Sequence, residues 1–440
     1  MFENVRGGAM KNETSDRRAT GLLALVICAT LVLSGCTPTA DAKTSGRTET
    51  TAPFSDEITG KLDAALAGAM TQAGASGAIV GVWAPWAGTW TAATGTTTMT
   101  GHDKLTTDMR FRIGTNTTAM TCTVLLKLVE EKRVKLSDPV STYLTRLPGI
   151  EDITLGQLCQ NTSGLTDYTG QLGPQFVNNP TRDWPPLEVA SAGMAAARSA
   201  QPGAAFAPSN TGIVLLGMAL EAATRQSWDT LYHTYIFDPL SLDSTSFPNP
   251  DEFTIEGSHP HGYATTLGQG GQLVCEAVLD ETQLSNSMAG VAGGVVSSLS
   301  DLKVWAQALA EGDLLSKKSK DTQWATIPVG TTTPGWSTYG LGAAQLGPLR
   351  GSSGSIPGFV TAAYSDPTSG LTIVVMLNNS TAGASFASNL ALQFASIVAA
   401  APAVASATAP NLELPWSEAD AAQAMQSTPV CPPVAAAPAG

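Results

Sequence analysis

Strand patterns stand at both ends of the globular part of this chain, and helical patterns fill its middle. Gly77 to Trp83 and Thr89 to Thr94 read as two strands joined across Pro85 and Gly88. Nearly three hundred residues later, Phe359 to Tyr364 and Leu371 to Leu377 read as two more. They are split by Asp366-Pro367-Thr368-Ser369-Gly370, a composition suited to a hairpin turn. Between and around them the apolar period is helical. Ile58, Leu62, Leu66 and Met70 recur at four-residue steps, so Ser55 to Gln72 reads as an amphipathic helix. Met120 to Glu131, Thr154 to Gln160, Thr211 to Thr224, Ser300 to Glu311 (with Ser300 as N-cap and Gly312 as stop) and Ser385 to Ala399 follow as helices. The simplest packing is an α/β (α+β) fold. One antiparallel sheet is built from both ends and flanked by the first and last helices, and the middle forms a mostly helical lobe. A ligand site belongs in the groove between lobes.

These patterns occupy residues 54–399, with a sheet lobe at about 54–112 and 345–399 and a helical lobe at about 113–344. That length buries a large core. The flanks differ. Arg17 and Arg18 precede an apolar run from Leu22 to Leu33, then Leu33-Ser34-Gly35-Cys36. Charge, short apolar run and small residues in that order predict a secretory signal. The final four residues resemble a bacterial lipobox, which implies acylation of Cys36 and attachment to the cell membrane on its extracytoplasmic side. Residues 37–53 are small and polar and read as a tether. Residues 400–440 are rich in Ala and Pro and read as a mostly unstructured tail, with Trp416 and Cys431 as points that could pin it. The net charge of −13 argues against nucleic acid as a partner.

Cys122, Cys159, Cys275 and Cys431 allow three pairings in an exported protein. Buried free thiols are the equal alternative, since Cys122 and Cys159 sit in helical patterns as small core residues would. No metal site is expected: His102, His233, His259 and His261 form no zinc-like spacing, and His259-Pro260-His261 lacks a third ligand. No cofactor is expected either.

The motifs resemble those of the serine beta-lactamase and DD-peptidase superfamily, nearest its class C-like branch. Phe111-Arg112-Ile113-Gly114 resembles the lead-in to the nucleophile. Leu136 to Val140 with Tyr143-Leu144 resembles the turn after the nucleophile helix. Ile153 to Leu158 followed by Asn161-Thr162-Ser163-Gly164-Leu165 resembles the family's LLxHTSGL segment, with asparagine where histidine is usual. Pro202-Gly203 and Ser209-Asn210-Thr211-Gly212 resemble the second motif. Ala292-Gly293-Gly294-Val295 with Ser300-Asp301-Leu302 resembles a signature in the helical lobe, and Gly351 to Phe359 the third motif. The resemblance covers nearly all of residues 54–399.

That family uses a serine with a lysine one helical turn on, a tyrosine in the second motif, and a lysine or histidine in the third. Here the corresponding positions hold Thr115, Thr118, Pro208 and Ser352, followed by Ser353 and Gly354; Asn210 is retained. Thr115 keeps a hydroxyl but adds a methyl that stiffens χ1. Thr118 is no base, Pro208 carries no proton, and Ser352 no charge. Losing one member of such a unit can cost on the order of 10⁴–10⁶ in rate. His259 or His261 could fold toward the groove as a replacement base; otherwise they are surface-loop residues. The expected function is an inactive envelope lipoprotein. It would bind a peptidoglycan fragment, another envelope ligand or a partner through Thr115, Thr118, Asn210, Ser352 and Ser353. A hydrolase with unconventional machinery centred on Thr115, or a purely structural envelope protein, are the alternatives.

Overall fold

The computed structural model describes residues 52–267, 273–331, 333–404 and 407–431. Cys36, the apolar run before it and most of the tether lie outside the described residues. The main sheet has eight strands: β1 (Gly77–Ala84), β2 (Gly88–Gly95), β3 (Ile327–Pro328), β4 (Ser337–Tyr339), β5 (Ala344–Leu346), β6 (Leu349–Ile356), β7 (Phe359–Ser365) and β8 (Thr372–Leu377). Their order is β2-β1-β8-β7-β6-β5-β4-β3, antiparallel throughout. The first strand therefore pairs with the last, Ala78 opposite Leu377 and Ile79 opposite Met376. The β7–β8 turn is held by Asp366, whose carboxylate accepts from the N–H groups of Thr368 and Ser369.

Side-chain alternation in the central strands divides the core into two layers. Val80 and Val82 of β1, Ala362 and Tyr364 of β7, and Val375 and Leu377 of β8 face the outer layer. Ile79, Ala363, Val374 and Met376 face the inner one. Both faces are covered, so these strands read as nearly unbroken apolar runs.

Six helices pack on the sheet or border the site: α1 (Asp56–Ala73), α2 (Asn116–Glu130), α3 (Asn210–Thr224), α4 (Leu299–Glu311), α5 (Gly383–Ala399) and α6 (Glu418–Gln426). Ser55 caps α1, and Gly74 ends it at φ +62°. α1 and α5 cover the outer face. α4 packs on the inner face, against β6, β7 and β8. Its N-cap is Ser298, whose hydroxyl accepts from Asp301 N–H, and not Ser300 as the sequence pattern had placed it. Nor does the second segment of the sheet begin at about residue 345. It takes β3 to β5 from residue 327 onward, strands of two or three residues that are too short to show alternation.

The tail also departs from its composition. Trp416 is buried, and its indole N–H donates to Leu392 O of α5 at 3.0 Å. Ser417 and Asp420 form a capping box that starts α6, and Ala421 and Met425 pack into the outer layer. The cysteines pair as Cys122–Cys159 and Cys275–Cys431. So Cys122 and Cys159 are buried but not free, and Cys431, the last described residue, is tied to the Leu273–Asp280 strand.

Candidate functional site

The turn before α2 runs backbone to backbone with β6. A Cβ on Gly354 would lie 2.1 Å from Ile113 O and 2.7 Å from Thr115 N. Gly114, at φ +54°, would place one 2.6 Å from Ser355 N. This double approach, which only glycine permits, sets Thr115 beside the strand. Thr115 is the N-cap residue of α2 but does not cap it with its side chain. Its Oγ1 donates instead to Ser353 O at 3.0 Å. Thr118, one turn on and 5% exposed, donates its hydroxyl to Ala292 O at 3.1 Å.

α2 starts a turn earlier than its apolar period suggests because its threonines are satisfied sideways. Thr117 Oγ1 accepts from Val295 N–H, and Thr121 Oγ1 bonds Val291 O. The Ala292-Gly293-Gly294-Val295 segment is thus the partner of the α2 hydroxyls. Gly294 has no room for a side chain, since a Cβ would meet Asn286 Oδ1 at 1.9 Å.

Asn161 adopts φ +56°, a left-handed conformation that asparagine tolerates better than most residues. Its carbonyl accepts from Ala207 N–H and its side-chain oxygen from Ser209 N–H at 3.1 Å. The Asn161 segment thereby holds Pro208 and the start of α3 in place. Asn210 is fixed from the other side, its backbone N–H and its amide both donating to Asp167 Oδ2 at 2.9 Å. Behind these segments the Cys122–Cys159 disulfide joins α2 to the short helix Leu155–Cys159.

Together they line a cleft of about 190 Å³. Thr115, Thr118, Pro208, Asn210, Ser352 and Ser353 all border it. Gly354 stands behind, packed on the Thr115 turn. Asp167, Phe206 and Tyr339 also line it and were not singled out from sequence. Asp167 was detectable in principle: an aspartate whose side chain bonds the residue two ahead is a turn signal, and Oδ1 does accept from Thr169 N–H and Oγ1. Tyr339 gave no signal, because β4 is three residues long.

The electrostatics are sparse. No lysine, arginine or histidine is among the lining residues. The one carboxylate, Asp167, accepts four hydrogen bonds. Burial pushes the phenols of Tyr339 and Tyr364 above their usual range, so neither is a ready base. His259 and His261 do not line the cleft. Their Nδ1 atoms meet Gly257 O and Asp280 Oδ2, so neither histidine stands in the cleft as a replacement base. The arrangement can therefore accept and donate hydrogen bonds, but among the described residues it offers Thr115 no proton acceptor other than a main-chain oxygen.

The beta-lactamase family profile matches residues 62–396. The chain is 28% identical over 282 residues to AmpH of Escherichia coli (strain K12), a D-alanyl-D-alanine-carboxypeptidase/endopeptidase; the match covers 58% of this chain and 67% of that one. It is 27% identical over 271 residues to PbpX of Bacillus subtilis (strain 168), covering 61% of this chain and 62% of that relative's length. A D-stereospecific amidohydrolase from Streptomyces sp. superposes with a TM-score of 0.64 at 28% identity, covering 73% of this chain and 94% of that structure.

Proposed function

Starting from a chain that belongs to the beta-lactamase family, we propose that it binds in that family's groove without forming an acyl-enzyme. The carrying observation is the set of groups around Thr115. An acyl transfer needs a base to take the hydroxyl proton and a donor for the leaving group. Here the hydroxyl donates its hydrogen bond to Ser353 O, no lysine or histidine lines the cleft, and its one carboxylate, Asp167, is taken up by four other hydrogen bonds. What remains is a hydrogen-bonding pocket without a cation, its one charged group being the Asp167 carboxylate. It suits a polar cell-envelope ligand, such as a peptidoglycan peptide, held by its amides and hydroxyls. With no cation present, recognition depends little on a carboxylate in that ligand.

The same proposal places the protein outside the cytoplasmic membrane, tethered by a lipid on Cys36. Two disulfides among the described residues support an oxidising compartment. The test is ligand-observed NMR of cell-wall fragments against the wild type and against a groove variant, Asn210→Leu with Ser353→Trp. The reading expects binding by the wild type and its loss in the variant. Equal binding by both, or by neither across a broad fragment set, would favour a purely structural role.

A further inference from the structure

A second cavity, larger than the groove at about 340 Å³, opens further along α3 and shares no lining residue with it. Asn210 and Ile213 of the first turn line the groove, whereas Val214, Gly217, Met218 and Glu221 line this cavity. Its walls are apolar: Val189, Val214, Trp228, Phe247 and Val291. Gly217 makes the close packing possible, since a Cβ there would lie 2.6 Å from Val291 Cγ2.

The polar groups of the lining are asymmetric. Two of its side-chain donors are used within the protein. Trp228 Nε1 donates to Gly217 O, and Asn286 Nδ2 donates to Pro248 O. The charged lining residues are Asp183, Glu221 and Asp229, all acidic, and no lysine or arginine joins them. His233 lies 3.8 Å from Asp229 but bonds Asp238 more closely, at 2.8 Å. Glu221 has no salt bridge among the described residues. Although that residue as a whole is exposed, partial burial of its carboxyl raises its pKa, as expected where hydration is lost and no partner replaces it.

From the apolar walls and the one-signed mouth we infer that this cavity binds a small cationic amphiphile, an amine or guanidinium on a compact apolar or aromatic body. The apolar body fills the space among Val214, Trp228 and Phe247, and the cation meets Glu221. This volume lies within the range of small-molecule sites. Specificity comes from charge: a neutral analogue keeps the apolar contact and loses the pairing, and an anionic one meets three carboxylates.

The test is saturation-transfer NMR on the full chain with 2-phenylethylamine, 2-phenylethanol and phenylacetate. The amine is expected to bind roughly fivefold more tightly than the alcohol, the size of one partly screened charge pair, and phenylacetate not at all. Glu221→Gln should bring amine and alcohol within about twofold of each other. Met218→Trp, at a partly exposed wall position, should fill the cavity and abolish both. The groove substitution Asn210→Leu should leave amine binding as it was. Equal affinity for amine and alcohol in the wild type, binding of neither, or loss of amine binding in Asn210→Leu would overturn the assignment.

Discussion

The hydroxyls of Thr115 and Thr118 each donate to a main-chain oxygen, Thr115 to Ser353 and Thr118 to Ala292. Those bonds explain why threonine is tolerated at both positions: each methyl adds packing while the polar atom stays satisfied. A different residue is poorly satisfied. Glu281 is 1% exposed, and its Oε2 has no hydrogen-bond partner. Burial, reinforced by the charge of Asp280, lifts its pKa from 4.5 to about 7. The folded state therefore keeps this proton to higher pH than the unfolded chain does. Below the unfolded value both states are protonated and nothing is lost. As pH rises toward 7 stability falls, and above it the penalty is complete, about 3 kcal/mol for a shift of this size. Glu281→Gln removes that dependence. Denaturant midpoints measured from pH 5 to pH 8 should fall for the wild type relative to the variant, and parallel curves would contradict the reading.

At the scale of elements, the Cys122–Cys159 disulfide couples the helix that carries Thr115 to the segment that carries Asn161. It closes a loop of 37 residues by sequence separation. Loop-closure entropy puts its contribution at about 4 kcal/mol. Replacing both cysteines by alanine should cost about 3–4 kcal/mol in chemical denaturation, and a loss under about 1 kcal/mol would show that packing alone holds the two segments. Elements differed in how far their sequence revealed them. The α1 period, the β1–β2 pair and the Asp366 hairpin were legible because each combines a regular apolar pattern with its own turn or cap chemistry. β3 to β5 were not, being too short to alternate. The start of α2 was hidden by threonines whose hydroxyls find partners only in the folded chain. α6 was masked by Ala/Pro composition, although Ser417 and Asp420 carried its cap signal. The cleft was legible at Thr115, Thr118, Asn210, Ser352 and Ser353 through motif positions. Phe206 and Tyr339 join it only through tertiary packing, and the turn signal of Asp167 did not say that it faces the cleft.

On the scale of the whole molecule, an acidic chain with a sheet covered on both faces keeps the scaffold of its family, and fold alone does not fix the chemistry at its centre. The proposed membrane link is a single covalent lipid, since the net charge of −13 gives no attraction to anionic lipid. Cys36→Ala should release the protein from the membrane fraction or stall its processing, and normal cleavage with unchanged membrane retention would refute the anchor. The central claim, binding without acylation, is tested most directly by intact mass spectrometry of the protein after exposure to a fluorescent penicillin and to a fluorophosphonate. The account predicts no added mass from either reagent. A stoichiometric adduct that disappears in Thr115→Ala would contradict it.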